Sequence, residues 1–292
     1  MNDRLQRILK DWPLWQLAGI APKMADLQPI AGGLTNQSFY FSCGGEGGGE
    51  SGGDYLLRVE AENTQQLDID RQAEWRAQQL AADAGICPKI LYRNTQKHYW
   101  IRRYFRGQTL SENRSSQSPS QSQIQQLAGC LKKLHQLPID DSLPRLNIAS
   151  KAEKYWQVIE QSAANQPLLK YKAPLQQKLA GLSNQQLVVC HMDCGLANWF
   201  VDQQSQQLYL LDWEYAALGN PYWDLAALVE GGQLTPQLSH QKQQWLLECY
   251  GDIDSDQLHY ACQQMNYLAA LWYLAQGMIS VEQAQAKFLK LS

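Results

Sequence analysis

Residues 187–226 read LVVCHMDCGLANWFVDQQSQQLYLLDWEYAALGNPYWDLA. Two short apolar runs, Leu187 to Cys190 and Leu208 to Leu211, each end abruptly in acids and amides. Apolar β-prone runs bounded by turn residues predict buried strands. His191, Asp193 and Asn198 follow the first run; Asp212 and Glu214 follow the second. Acids and an amide at strand ends suit a site that handles a proton and a hard cation, because Mg²⁺ prefers Asp and Asn oxygens and keeps its other positions for water and phosphate. The spacing His-x-Asp-x-x-x-x-Asn, with an Asp after the next strand, matches a phosphoryl-transfer template. In that template one Asp receives a hydroxyl proton while the Asn and the later Asp hold the metal. The two strand tips are expected side by side.

At 292 residues the chain exceeds one typical core, so two lobes are expected. Hydrophobic residues at 45% and charged residues at 18% are ordinary for a soluble globular protein. A net charge of -3 gives no long-range attraction to nucleic acid or an anionic membrane. The seven cysteines (43, 87, 130, 190, 194, 249 and 262) are odd in number and form no CxxC pair, which reads as reduced thiols and a cytoplasmic protein. The charged, proline-containing start MNDRLQRILKDWP does not resemble a signal peptide. The longest apolar run, Tyr267 to Ala275, is too short to span a bilayer.

Helical spacing of Leu5, Ile8, Leu9, Trp12 and Trp15 predicts an interrupted helix over 3–18, limited by Pro13. Residues 30–41, IAGGLTNQSFYF, read as strand, glycine turn, strand. Gly32 and Gly33 let backbone N–H groups approach phosphate, and Thr35 and Asn36 add donors; a plain hairpin turn is the simpler reading. The richer glycine tract, Gly44 to Gly53, carries Glu46 and Glu50, which repel phosphate, and reads as a flexible hairpin connection. On the strand 55–60, Arg58 is either a snorkelling surface residue or a phosphate clamp. A helix is expected over 65–84, with Leu67, Trp75, Leu80 and Ala81 facing the core, Glu74 solvated, and Gly85 closing it. A hairpin spans 90–105 and ends at Gly107, and the polar tract 111–123 lies just beyond the division between lobes. Helices are then expected at 122–137, 150–165, 222–231, 239–250, 256–276 and 280–290.

Seven segments in order, GGLTN (32–36), LLRV (56–59), DRQAEW (70–75), the strand into Gly107, LKKLHQLP (131–138), HMDCGLAN (191–198) and LDWEYAALGNPYWDLA (211–226), make the chain resemble the aminoglycoside phosphotransferase and choline kinase superfamily. That resemblance implies an α+β, bilobal, protein-kinase-like fold: an N-lobe over 1–106 with a small antiparallel sheet and one main helix, and a mostly helical C-lobe over 107–292. It implies ATP and Mg²⁺ as cofactors. Asp193 would orient the acceptor hydroxyl and take its proton, and Asn198 and Asp212 would bind Mg²⁺. Arg58 would contact the phosphates and pair with Glu74, residues 32–36 would cover the phosphates, and the backbone from Arg103 to Phe105 would meet the adenine. His191 is grouped with the catalytic residues, more as a brace for the loop than as a reactant. A metal site from Cys190, His191 and Cys194 lacks a second ligand cluster with zinc-like spacing. Protein kinases follow their metal-binding Asp with Phe-Gly, whereas this chain has Asp212-Trp213-Glu214.

Arg58 in LLR and the GGLTN loop resemble choline and thiamine kinases; HMD with DWEYA resembles bacterial thiamine kinases. The acceptor is therefore expected to be a small cationic alcohol of the choline, ethanolamine or thiamine kind. A quaternary nitrogen is held by aromatic faces and carboxylates, with Trp272, Tyr273 and Glu214 as candidates, although aromatics at helical spacing are more often core. Two alternatives stand beside this. An aminoglycoside kinase would need an acidic cleft, for which Glu214, Asp224, Glu230, Glu248, Asp252, Asp254 and Asp256 are available. A non-catalytic nucleotide-binding module would share the fold.

Overall fold

The computed structural model describes residues 2–30, 36–44, 52–61, 69–111, 119–179, 187–230 and 238–292. The turn at Gly32, Gly33 and Thr35, most of the 44–53 tract, Leu67 and most of 111–123 lie outside the described residues.

The first part of the chain is built on a five-stranded antiparallel sheet ordered β1-β2-β3-β5-β4, from Gln28–Ile30, Gln37–Cys43, Gly53–Val59, Tyr99–Arg103 and Ile90–Asn94. Period-two alternation divides it into two faces. Phe39, Phe41, Tyr55, Leu57, Val59, Tyr99 and Ile101 form a small core with Leu5 and Ile8 of α1 (Asn2–Leu9) and Trp15 of α2 (Trp12–Trp15). Pro13 sits in the first turn of α2, where its missing N–H costs nothing, so the expected helix splits in two. The other face carries Leu56, Arg58, Trp100 and Arg102.

Helix α3 spans Arg71–Asp83 and not 65–84. Asp70 caps it, accepting from the N–H groups of Gln72 and Ala73, and thereby fixes the start. Gly85 ends it at φ 72, the left-handed geometry that favours glycine. Its buried side is small, Ala73, Ala77 and Ala81, and belongs to the large core shared with the later helices. Trp75 and Leu80 are only half-buried, and Glu74 is buried instead of solvated.

Gly107 does not end a hairpin but opens β6 (Gly107–Thr109), which pairs with β8 (Trp199–Asp202). A Cβ at Gly107 would stand 2.0 Å from the Val201 carbonyl oxygen, so glycine is required for that pairing. Helix α4 (Gln121–His135) follows, then α5 (Ile148–Ile159), shorter than the expected 150–165. There Asn165 folds back to donate to the Ile159 carbonyl at 2.9 Å and closes the helix. A 3₁₀ stretch (Ala163–Tyr171) and α6 (Lys172–Leu179) follow, neither marked by clear periodicity.

The two strands that frame the motif are β7 (Val188–Cys190) and β9 (Leu208–Leu210); their tips meet, as expected, where the Leu211 N–H donates to the Asn198 backbone carbonyl at 2.8 Å, although the strands belong to different sheets. The short polar turn after β8 pairs it with β9, while β7 pairs with β10 (Ala217–Gly219). Helices α7 (Pro221–Glu230), α8 (His240–Tyr250), α9 (Ser255–Ala275) and α10 (Val281–Leu291) complete the chain, close to their expected limits. No helix among the described residues is long and apolar enough to cross a membrane.

Because Ala77 is fully buried in the α3 stripe, Ala77→Leu should overpack the joint and cost about 1–3 kcal/mol in urea unfolding, whereas the exposed Gln72→Ala should stay within about 0.5 kcal/mol.

Candidate active site

The loop between β7 and β8 is held from beneath by one acid. Asp224, fully buried on α7, accepts from the backbone N–H of His191 at 2.9 Å and of Met192 at 2.7 Å. His135 of α4 meets the same carboxylate at 3.1 Å through Nε2, and its Nδ1 lies 2.7 Å from the Tyr250 hydroxyl on α8. Burial pushes the Asp224 carboxyl up, but His135 and the loop amides outweigh it and hold it below the usual carboxylate value. Met192 takes φ 71, a costly geometry for a side chain with a Cβ, and the two amide bonds support it.

His191 is fully buried, and both its ring nitrogens are used by backbone. Nδ1 accepts from the Asp193 N–H at 3.2 Å, which makes Nε2 the donor to the Leu211 carbonyl at 2.9 Å. Its ring meets Trp213 edge-on at 4.7 Å. The imidazole thus ties the tip after β7 to the tip after β9, which do not share a ladder, and has no nitrogen left for a reactant.

Asp193 is exposed at the turn. Asn198 donates its amide to the Asp193 carbonyl and to Oδ2, both at 2.8 Å. The protein mass around Asp193, and then the charge of Asp212, raise its carboxyl above the usual value although the side chain is open to solvent. Asp212 sits at φ 67 and accepts from Arg58 Nη2 at 2.5 Å. Burial pushes Asp212 up, but Arg58 prevails and its carboxyl lies below the ordinary value. The side-chain oxygen Oδ1 of Asn198 and the second Asp212 oxygen take no part in these bonds. An amide oxygen and an ionised carboxylate suit Mg²⁺, and the residues present fit that ion.

The pairing expected for Arg58 and Glu74 is not the one formed. Arg58 reaches across to Asp212, with its guanidinium 5.7 Å over the Trp100 ring. Glu74 is taken by Arg71, three residues away on α3, at 2.6 Å. Arg71 also donates to Asn36 Oδ1 at 2.9 Å. Glu214, expected in the acceptor pocket, joins this network instead: it accepts from Asn36 Nδ2 at 3.1 Å and stands 3.7 Å from Arg58 and 3.6 Å from Arg71. Two guanidiniums on the facing strand and helix draw it away from the acceptor side. Burial and the neighbouring Asp212 push its carboxyl up to about 7.

The Arg103 side chain lies on the sheet face opposite Arg58, stacked 4.8 Å over Tyr55, so only its backbone can face the cleft. Phe105 packs against Tyr209 with centroids 5.4 Å apart. Tyr273 is half-buried, its phenol raised by burial and by the charge of Asp193, which lies within electrostatic reach. Trp272 meets Tyr273 edge-on at 5.2 Å, and its indole nitrogen is buried without an acceptor among the described residues. Tyr215, which no sequence signal singled out, is also under the fields of Glu214, Asp193 and Asp212, and Lys151 lies 5.3 Å over its ring.

Among the acids named for an acidic cleft, Glu214 is drawn into the arginine network and two more serve the protein's own backbone. Asp224 is saturated beneath the loop, and Asp254 caps α9 through the N–H groups of Asp256 and Gln257. Cys190 and Cys194 are buried, and burial raises both thiols well above the usual value, so neither offers a thiolate to a metal. His135, Cys190 and Asp224 bring potential ligand atoms within 4.8 Å of one another. All three are engaged in protein hydrogen bonds, Cys190 with the Asn220 carbonyl.

A family model described as the phosphotransferase enzyme family matches residues 26–257. The LicA homolog of Mycoplasma capricolum is 23% identical over 199 residues, which are 68% of this chain and 76% of that protein. Among solved structures, choline kinase LicA from Streptococcus pneumoniae superposes with a TM-score of 0.71 at 20% identity, covering 98% of this chain and 97% of that one. Spectinomycin phosphotransferase, solved with ADP and spectinomycin, superposes with a TM-score of 0.65 at 16% identity, covering 98% and 93%. Both likenesses show the protein-kinase-like fold.

Asp224→Ala would leave a buried His135 and two loop amides without their acceptor, at a cost of about 3–5 kcal/mol in urea unfolding at pH 7. Because its folded-state pKa is depressed, Asp224 contributes stability that is complete above the unfolded carboxylate value and is lost as pH falls through the folded one. The gap between wild type and Asp224→Ala should therefore narrow below about pH 4.

Proposed function

The chain belongs to the phosphotransferase enzyme family, and from that premise we propose that it transfers the γ-phosphate of a nucleoside triphosphate, ATP by its motifs, to the primary hydroxyl of a small cationic alcohol. The observation that carries this is the cluster of Asp193, Asn198 and Asp212, in which Asn198 is bonded to Asp193 and Asp212 acts on its charge. The acceptor class, of the choline, ethanolamine or thiamine kind, is supported by Tyr215 and Tyr273 within electrostatic reach of Asp193.

In this mechanism Asp193, open to solvent, orients the alcohol for in-line attack and receives its proton. Its raised pKa fits a base that must hold that proton. Asn198 fixes the Asp193 rotamer through the 2.8 Å bond to Oδ2. Mg²⁺ held by Asn198 and Asp212 would neutralise charge on the phosphates. Arg58 is on the strand facing Asp212 and supplies the second positive charge there. Asn36 and Arg58, with residues 32–35, would hold the nucleotide between the 1–106 and 107–292 lobes. The odd number of cysteines and the lack of a CxxC pair support a reducing, cytoplasmic setting as part of this reading.

A coupled ADP-release assay over thiamine, choline, ethanolamine and kanamycin, with and without Mg²⁺, tests this. Mg²⁺-dependent turnover is expected on one or more of the first three, and nucleotide binding with no turnover on any alcohol would contradict it. Asp193→Ala should keep nucleotide binding and lose about 10²–10⁴ in turnover. Wild-type turnover in that variant would remove Asp193 from the role of base.

A further inference from the structure

Arg58 holds Asp212 through a single hydrogen bond. A guanidinium facing a carboxylate ordinarily forks, with two parallel N–H groups taking both oxygens. Here Arg58 reaches Oδ1 through Nη2 at 2.5 Å, and its Nε–H is buried with no acceptor among the described residues. An orphaned buried donor so near a carboxylate is costly, so the surroundings keep the two groups out of the fork.

A second bond across the same cleft does this. Asn36 lies just before β2, whose Ser38 is opposite Arg58 in the register. Its Nδ2 donates to Glu214 Oε2 at 3.1 Å, between two buried residues 178 apart in the chain. The amide cannot turn over, because its Oδ1 accepts from the Ala61 N–H at 3.1 Å and from Arg71 Nη2 at 2.9 Å. Glu214 follows Asp212 by two residues on the same tip, so the end of the sheet and the tip are joined twice. One contact alone would leave the sheet free to pivot about Arg58 and Asp212. The second removes that pivot. Asparagine suits the position because one side chain must donate to a carboxylate and accept from two N–H groups.

We propose that Asn36 is a positioning residue for phosphoryl transfer: by pinning Glu214 it keeps Arg58 on one oxygen of Asp212 and leaves the other for the divalent cation. The inference rests on the kinase reading above and gives Asn36 a role that does not require it to touch the nucleotide. Without the Asn36 donor, Arg58 closes its fork on Asp212, and the guanidinium then competes with the cation for the same carboxylate.

Calorimetric titration of the full-length protein with ADP, without Mg²⁺ and over a series of Mg²⁺ concentrations, tests this. The proteins compared are wild type, Asn36→Asp, Asn36→Leu, Glu214→Leu and the Asn36→Leu/Glu214→Leu double variant. Asn36→Asp removes the donor and keeps the oxygen that Ala61 and Arg71 use. Mg²⁺ should tighten ADP binding in wild type. Both Asn36 variants and Glu214→Leu should keep the metal-free affinity and need roughly 10-fold more Mg²⁺ for the same tightening. The double variant should be no worse than the poorer single one, since both substitutions remove one contact. A metal-free ADP affinity that falls in the Asn36 variants, an unchanged Mg²⁺ requirement, or losses that multiply in the double variant would each overturn the proposal and leave the kinase reading intact. Failure of wild type to bind ADP under any of these conditions would overturn both. If the Glu214 variants do not fold, the split between metal-free and Mg²⁺-dependent affinity in Asn36→Asp decides the matter alone.

Discussion

One guanidinium–carboxylate contact, Arg58 to Asp212, joins a strand of the N-terminal sheet to the tip after β9. The partners come from opposite sides of the cleft, 154 residues apart in sequence. Each is partly withdrawn from water, with side-chain exposures of 13% and 27%. Neither charge would be stable there alone, since a partly buried ion needs a partner. The contact thus sets the approach of the two halves and keeps Asp212 ionised. An ionised Asp212 is the state that a divalent cation requires.

Around this contact the molecule has arranged a second, larger set of charges. Glu214 is shared between Arg58 and Arg71, and Asn36 bridges Glu214 and Arg71. Through Arg71 the network reaches Glu74 and the helix whose alanine face lies in the large core. Beneath the cleft a separate group, Asp224 with His135 and Tyr250, fixes the loop from which Asp193 projects. His191 then ties that loop to the segment leading into Asp212. Two strained residues, Met192 at φ 71 and Asp212 at φ 67, sit at the ends of these supports. Strain of this kind persists where the surroundings over-determine the backbone.

Much of this was legible in the sequence. The blocks HMDCGLAN and LDWEYAALG name the residues Asp193, Asn198 and Asp212 that the fold gathers, because strand-terminal acids at fixed spacing carry a chemical meaning, and helix limits after residue 220 follow from hydrophobic period. What escaped depends on three-dimensional partners. Arg71 and Glu74 are three apart on one helix, so they pair locally before Arg58 can compete. Glu214 is an acid beside aromatic residues in sequence, and only the fold shows two arginines facing it. Asp224 resembles a surface acid near a helix start, yet its partners come from α4 and the β7 loop. The pairing of β7 with β10 was hidden because three-residue strands carry too little pattern to name a neighbour.

The central claim is that Asp212, held ionised by Arg58, joins Asn198 in receiving the divalent cation that accompanies the nucleotide. Its most direct measurement is the affinity for a purine nucleoside diphosphate as a function of Mg²⁺ concentration, in wild type and in Asp212→Asn. The account predicts that Mg²⁺ tightens binding in wild type and that this dependence disappears in Asp212→Asn while metal-free affinity changes little. An unchanged Mg²⁺ dependence in Asp212→Asn would contradict it.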